Sequence, residues 1–217
     1  MFSFDSARIL SWLTLGFGDG LNLKLRRAVH GESVHAIGKP RLDVVAEVTR
    51  AIYKSSAVEV SYLSLTSGAS ERELVPHALV DNGIRWHVRA FDRASQRFSD
   101  FVVSRMTSAK QVVGDPADEE LRRADAQWAR IVDLELVPHP GLKHPDAIQA
   151  DYGMNDGVLR AQIRAAVVGY ALRRWQVDCS SDHSLDPNEH HLWLRDTPTL
   201  YGVESAAMGP GYRQQGA

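Results

Sequence analysis

A tight turn, Asp81-Asn82-Gly83, separates two segments whose residues favour β-strands. Asparagine and glycine readily adopt the positive φ angles of short hairpin loops, so this tripeptide predicts a β-hairpin. Five short β-patterned segments recur through this half of the chain, at 58–63, 72–80, 84–91, 98–103 and 108–113. Pro76 predicts a bend inside the second of them. Short strands joined by tight turns predict a small β-barrel.

A helix is predicted before these strands, and a second unit is predicted after them. Apolar residues recur at helical spacing over 42–54, and they alternate with acidic residues over 132–136, which is typical of a half-exposed strand. A cap at residue 155 or 156 predicts a long helix through Trp175, and 191–195 predicts a last strand. This order of strand, helix and strand predicts a compact α/β unit, so the fold class of the chain is α+β.

The strand after the hairpin has two chemically different faces. Successive side chains of a strand point to opposite sides, so Trp86 and Val88 share one face with Ala90. Arg85, His87 and Arg89 share the other face. Guanidinium groups and an imidazole side by side suit the recognition of a phosphate or a carboxylate, because arginine can donate two parallel hydrogen bonds to either group.

Arginine is concentrated around this strand. Six arginines and four acidic residues lie between Arg72 and Arg105, in a chain whose net charge is −2. Arg72, Arg89 and Arg105 adjoin strand residues, where a half-buried guanidinium needs a partner. Tyr62 shares a strand face with Ser64, and its hydroxyl group can bind a phosphate or simply end the core in water. We favour an anion pocket over purely structural ion pairs.

Several other classes of protein do not fit the sequence. The single cysteine, Cys179, excludes an internal disulfide and fits a reducing cytoplasm. No apolar run approaches the roughly 20 residues of a membrane span, so no membrane association is expected. The histidines lack the spacing of typical zinc sites, and nucleophile and phosphate-loop motifs are absent. We therefore predict no catalytic residues, no metal and no enzyme activity.

The sequence resembles the WYL domain of bacterial transcription regulators from about residue 39 to residue 113. Trp86-His87-Val88 stands where the family has its eponymous Trp-Tyr-Leu. The resemblance rests on four stretches, at 60–62 (Val-Ser-Tyr), 72–79 (Arg-Glu-Leu-Val-Pro-His-Ala-Leu), 83–90 (Gly-Ile-Arg-Trp-His-Val-Arg-Ala) and 100–106 (Asp-Phe-Val-Val-Ser-Arg-Met). These forms are similar to a subgroup of WYL repressors that control phage-defence operons of the BREX and CBASS kinds. Residues 128–205 look like the C-terminal extension of those repressors.

This resemblance implies a domain plan and a site. The plan is an N-terminal linker or dimerisation segment (1–38), an Sm/SH3-like WYL barrel (39–114), a linker helix (115–127), the C-terminal WYL extension (128–205) and a flexible tail (206–217). It implies a homodimer and a nucleotide or oligonucleotide effector, with no other cofactor. By motif position, the pocket residues are Tyr62, Ser64, Arg72, His77, His87, Arg89 and Arg105.

One departure from the family pattern limits the function. Family repressors begin with a winged helix-turn-helix that reads DNA, but only about forty residues precede the helix at Leu42 here. Operator binding is therefore expected only if that reader is supplied elsewhere. Two alternatives stay open beside a ligand-sensing repressor. One is a nucleotide-hydrolysing enzyme using Asp100, and the other is a ligand-free dimerisation scaffold whose arginines pair with internal carboxylates.

Overall fold

The computed structural model describes residues 39–213. The predicted N-terminal segment, 1–38, and the last four residues lie outside it. In the described part, no helix is both long enough and apolar enough to cross a membrane.

The first domain is a helix packed on an antiparallel sheet of five strands. The helix is Leu42–Lys54 (α1). The strands are Val58–Ser64 (β1), Gly68–Asp81 (β2), Trp86–Asp92 (β3), Arg97–Val102 (β4) and Met106–Gln111 (β5). The five predicted strands are thus confirmed. Their order in the sheet is β4-β3-β2-β1-β5, with antiparallel pairing throughout.

The sheet does not close into the predicted barrel. A short 3-10 turn, Val103–Arg105, follows β4, and β5 then pairs with β1 instead of β4. β4 and β5 are consequently the two edges of an open sheet among the described strands. The α+β class is confirmed, whereas closure is not, because closure requires hydrogen bonds between the first and last strands of the sheet.

The core of this domain lies between α1 and one face of the sheet. Val44, Val48 and Ala51 are spaced to lie on one side of α1, and all three are buried. They pack with Leu74 and Val88 from the sheet. Burying this apolar stripe stabilises a helix that is short on its own, since isolated helices of this length are marginal in water.

A bulge in β2 sets the position of His77. Pro76 pairs with Ala90 of β3 and Ala78 pairs with Arg89, so His77 is an extra residue with no partner in the ladder. Proline lacks the N–H group that a regular ladder needs, which explains the irregularity at this point. The bend predicted at Pro76 is confirmed, and it turns the imidazole of His77 towards the segment that follows the sheet.

The segment between the domains contains short turns instead of the predicted single linker helix. It consists of two 3-10 turns, Asp118–Glu120 and Arg122–Ala124, and a four-residue helix, Ala126–Ala129 (α2). Its polar side chains bind the first domain. Both carboxylate oxygens of Glu120 accept hydrogen bonds from Arg93, at 2.7 and 2.8 Å.

The second domain has a mixed sheet of four strands with helices beside it. Its elements are Ile131–Pro138 (β6), Pro145–Asp151 (α3), Leu159–Arg164 (β7), Ala165–Arg174 (α4), Val177–Asp178 (β8) and Leu192–Leu194 (β9). The sheet order is β7-β6-β9-β8, and only β8 and β9 run parallel. The core combines α4 with the inner face of this sheet.

The prediction of one long helix from residue 155 or 156 to Trp175 was wrong in its first half. Residues before Ala165 form β7, which pairs with β6 in antiparallel register. Side-chain pairs across the two strands support this register, including Arg160 with Glu135 at 3.1 Å and Gln162 with Asp133 at 2.8 Å. Only Ala165–Arg174 is helical.

The end of the second domain is packed where a flexible tail was predicted from Ala206. Residues Glu204–Met208 form a 3-10 helix, in which Ala206 is fully buried. The hydroxyl group of Ser205 accepts a hydrogen bond from the N–H of Gly169 and donates one to the carbonyl of Ala165. A Cβ atom on Gly169 would lie 1.8 Å from the carbonyl oxygen of Ser205, so glycine permits this close approach.

Candidate functional site: a polar junction between the two domains

The seven predicted site residues have different partners, and the two on β1 form hydrogen bonds within the first domain. The Tyr62 ring is buried edge-to-face against Phe101, with ring centres 5.3 Å apart. Its hydroxyl group accepts a hydrogen bond from the N–H of Val102 at 3.3 Å. The Ser64 hydroxyl accepts from the N–H of Thr66 at 3.2 Å and so stabilises the turn after β1. Sequence reasoning left this structural role open for Tyr62.

Arg72 is paired inside the first domain. Its guanidinium group donates to a carboxylate oxygen of Asp92 at 2.8 Å. Asp92 is almost fully buried, and it also accepts hydrogen bonds from Ser95 and from the N–H of Ala94. A buried carboxylate with several donors is a stable partner for arginine, so the charge of Arg72 is already paired.

Arg89 and His77 meet at one carboxylate, that of Asp125. Arg89 Nε donates to Asp125 Oδ2 at 2.8 Å, and Arg89 Nη2 donates to Oδ1 at 3.1 Å. His77 Nε2 lies 3.0 Å from Asp125 Oδ2. Oδ1 also accepts the N–H of Trp128 at 3.0 Å, which makes Asp125 the N-cap of α2. We call Asp125 and these three partners the Asp125 junction.

Electrostatics hold the Asp125 junction in its charged form. Burial alone would raise the pKa of Asp125, but the bonds from His77 and Arg89 and the charge of Arg89 outweigh burial and bring that pKa well below its ordinary value. Burial likewise lowers the pKa of Arg89, and its bonds to Asp125 and Asp100 raise that pKa above the ordinary value. Both groups are therefore ionised at neutral pH, and each supplies the opposite charge and the hydrogen bonds that the other needs.

A second carboxylate extends this network to the second domain. Arg89 Nη1 lies 3.4 Å from Asp100 Oδ1, and the hydroxyl group of Tyr170 donates to Asp100 Oδ2 at 3.0 Å. Tyr170 belongs to α4, so one buried arginine of β3 is linked to both the linker and the second domain. Asp100 was the one candidate for a general base, and each of its carboxylate oxygens accepts a hydrogen bond from one of these donors. In residues 39–213, no cluster of three or more His, Cys, Asp or Glu could hold a metal ion.

His87 and Arg105 lie beside the junction, and Arg105 keeps its charge unpaired. The imidazole of His87 is buried and leans on the Tyr170 ring, with centres 5.0 Å apart. Burial lowers the pKa of His87, and the positive charges of Arg85 and Arg105 act in the same direction. Within residues 39–213, the guanidinium groups of Arg85 and Arg105 have no hydrogen-bond or ion-pair partner. Both are half-buried.

Both faces of β3 are covered, contrary to the expected division into a core face and a ligand face. Val88 and Ala90 are fully buried as expected, but Trp86 of the same face is 44% exposed. His87 and Arg89 are buried as well, because Asp125 and Tyr170 from later in the chain cover them. The alternation along the strand was interpreted correctly, whereas the burial of its polar face depends on residues that are distant in sequence.

The sequence reasoning missed Asp125 and Tyr170. Asp125 lies in the segment predicted as a linker helix, and its partner Arg89 is 36 residues away. A local signal existed, since an aspartate three residues before Trp128 is a typical helix cap. Tyr170 lies within the predicted long helix, and a helix prediction gives no indication that its hydroxyl group bonds to Asp100.

Two family models match the chain, and together they define its class. Residues 43–111 match the WYL domain. Residues 131–200 match the model described as the BrxR transcriptional regulator, C-terminal dimerization domain. The chain therefore belongs to the WYL-domain transcriptional regulators, in the group that carries this dimerisation domain. The resemblance seen in the sequence is confirmed.

The chain is similar to repressors named CapW. It is 33% identical over 164 residues to the DNA-binding transcriptional repressor CapW of Escherichia coli (strain KTE188), covering 74% of this chain and 54% of the relative. It is 37% identical over 147 residues to CapW of Pseudomonas aeruginosa, covering 65% of this chain and 47% of the relative. The chain thus spans about half the length of these relatives. Both relatives are regulators rather than enzymes, in agreement with the prediction.

Among solved structures, the proteasome accessory factor B/C (PafBC) of Arthrobacter aurescens resembles 80% of this chain over 28% of its own length. The TM-score is 0.34 and the identity is 17%. This likeness is too low to define the fold.

Proposed function

We propose that the chain is the effector-sensing and dimerising part of a transcriptional repressor of a phage-defence operon, acting in the cytoplasm. The observation that carries this proposal is the Asp125 junction, because one carboxylate ties β2, β3 and α2 together where the WYL domain meets the dimerisation domain. A change at this carboxylate alters Arg89, which is also linked through Asp100 to Tyr170 of the second domain. Sensing in one domain can thereby change the dimer formed by the other.

Residues 131–200 mediate a homodimer in this proposal. The match to a dimerisation domain supports it, and so do the relatives, whose names describe DNA-binding repressors. A DNA-reading domain in the same regulator would then be presented twice, at a spacing set by the dimer. The family barrel remains an expectation for the WYL domain, and the long bulged β2 would allow the strong curvature that a barrel needs.

The effector we propose is an anion, either a nucleotide or an oligonucleotide. Its phosphate competes with the Asp125 carboxylate for His77 and Arg89, since arginine offers the same fork to both groups. Arg105 and His87 add positive charge beside the junction for a longer ligand. Release of Asp125 uncaps α2 and frees the linker, and the population of dimer geometries shifts. Tyr62, Ser64 and Arg72 remain candidates for further contacts with the ligand in this proposal, beside their bonds within the first domain.

Calorimetric titration of the 217-residue chain with nucleotides and short single-stranded DNA tests this proposal. We expect binding that weakens roughly sevenfold between 50 and 200 mM salt if two phosphates are contacted. Asp125→Asn removes the internal competitor and is expected to bind the same ligand more tightly. Sedimentation with and without ligand reports the dimer. Absence of binding by both proteins would contradict effector sensing.

A ligand-free dimerisation scaffold is the second candidate. It is favoured by the internal pairing of Arg72 with Asp92 and of Arg89 with Asp125, which leaves neither guanidinium free. The two candidates differ in the Asp125→Asn result. A scaffold predicts loss of stability alone, whereas a sensor predicts loss of stability together with a gain in ligand affinity.

A further inference from the structure

A cleft lies between the first sheet and the linker, on the His77 side of the Asp125 junction. Its volume is about 560 Å³. Its lining includes three arginines and one histidine and contains no aspartate or glutamate among the described residues. A smaller cavity of about 250 Å³, beside Arg89, is different because Asp100 and Glu204 contribute to its wall. Of these two cavities, the larger cleft is therefore better suited to an anion, because no carboxylate in its lining would repel a negative charge.

The positive charges of this cleft differ in how much they are already engaged. Arg122 is exposed, and its guanidinium group has no hydrogen-bond or ion-pair partner within residues 39–213. Arg164 donates to the carbonyl oxygen of Trp128 at 2.7 Å, and its guanidinium carbon lies 5.1 Å from the centre of the Trp128 ring. Arg123 pairs with Asp118. Arg122 is the cation that is free to bind a phosphate, whereas Arg164 of the same lining is already bonded to Trp128.

The remaining wall is aromatic and apolar. The ring of His77 meets the Trp128 ring edge-to-face at 5.3 Å, and the side chain of His77 is only 6% exposed. His77 Nδ1 and Trp128 Nε1 are buried and unpartnered in the described part of the chain. Buried nitrogen atoms without partners are uncommon in folded proteins. Ile52 and Val75 complete an apolar side that suits a flat ring.

We propose that this cleft is where the effector binds, and that the ligand is a nucleotide, with its phosphate on Arg122 and its base against the apolar and aromatic wall. This inference rests on the proposed function and adds the place and the ligand class. The coupling is direct, because His77 and the N–H of Trp128 both bond to Asp125. A ligand that shifts either ring loosens the Asp125 junction from the cleft side, so that a second phosphate of the ligand can then compete with Asp125 for Arg89.

Calorimetry on the full chain with adenosine monophosphate, inorganic phosphate and adenosine as separate probes tests the site. We expect adenosine monophosphate to bind more tightly than inorganic phosphate or adenosine, because it can contact both Arg122 and the apolar and aromatic wall. Arg122→Ala is expected to weaken its binding about tenfold by removing one charge-assisted contact. Arg97→Ala is the matched control, since Arg97 is an exposed arginine on the smaller cavity. We expect its affinity to equal that of the unaltered chain.

The possible outcomes distinguish a failure of the proposed binding site from a failure of effector sensing itself. Binding that is weakened by Arg97→Ala and not by Arg122→Ala overturns the cleft while effector sensing stands. Equal affinity for inorganic phosphate and adenosine monophosphate overturns the nucleotide as the ligand class. Absence of binding for all three probes and for a short single-stranded oligonucleotide overturns both proposals. Arg122 is exposed, so a melting temperature equal to that of the unaltered chain confirms that the variant is folded.

Discussion

The guanidinium group of Arg89 and the carboxylate of Asp125 form a two-pronged ion pair, with nitrogen–oxygen distances of 2.8 and 3.1 Å. Both side chains are buried, at 6% and 1% exposure. Breaking a buried pair of this geometry strongly lowers the free energy of unfolding, because removing one partner leaves the other charged and shielded from water. The pair therefore fixes the linker to β3, and changes in it provide the most direct tests of the structure.

Asp125→Asn is expected to destabilise the protein by about 3 kcal/mol at neutral pH, since it removes the buried charge that neutralises Arg89 and leaves the longer contact to Asp100 as the remaining ion pair. Urea denaturation measures this loss. Asp118→Asn is the control, because that carboxylate is 84% exposed and its pairing with Arg123 is at the surface. An Asp125→Asn protein as stable as the Asp118→Asn protein would show that the junction contributes nothing to folding.

The stability that Asp125 supplies is expected to disappear in acid. The pKa of Asp125 is lowered from 3.8 on folding, so its contribution is complete above the unfolded value and is lost as pH falls through the folded one. The difference in unfolding free energy between the unaltered protein and Asp125→Asn is expected to be constant from pH 7 to about 5 and to shrink below about 4. A difference that stays the same at low pH would contradict the assigned charge.

His87 is expected to make the protein less stable as pH falls through the weakly acidic range. Burial lowers its pKa from 6.5 in the folded state, so the unfolded chain takes up a proton first and is favoured. His87→Gln removes this proton and is expected to flatten the change in unfolding free energy between pH 7.5 and 5.5. His144→Gln, at an exposed position, is the control and is expected to leave that slope unchanged.

Tyr170→Phe is expected to weaken the link between the domains by about 1 kcal/mol, because it removes the hydrogen bond to Asp100. A double-mutant cycle with Asp100→Asn measures the coupling, and denaturation is the readout. Tyr53→Phe is the control, since Tyr53 is 91% exposed. Fully additive effects of the two changes at the junction would mean that Tyr170 and Asp100 do not interact.

Local chemistry was sufficient to predict the elements of the first domain. Gly83 has a φ of 80°, and its N–H donates to Asp81 at 2.7 Å, as expected of a tight hairpin turn. Pro76 gives the predicted bend, because its missing N–H acts on the adjacent ladder alone. These features depend on a few consecutive residues, which is why the sequence carries them.

Features that depend on distant partners could not be predicted in the same way. Whether the sheet closes depends on whether β5 pairs with β4 in addition to β1, and hydrophobic alternation is identical in both cases. Before Ala165, the alternation of Leu159, Ala161 and Ile163 also fitted a strand, but helical spacing was preferred. The junction is the extreme case, because charge patterns do not reveal which carboxylate reaches Arg89.

The linker is physically part of the first domain, although it lies between the two family matches, which end at residue 111 and resume at residue 131. Leu121 packs beside Val75 and Phe91, and Glu120 and Asp125 neutralise arginines of the sheet. A hybrid regulator that exchanges dimerisation domains between relatives therefore requires its crossover after residue 130. A crossover at 111 would bring a foreign linker to Arg93 and Arg89, and its acidic residues would have to fall at the same two positions.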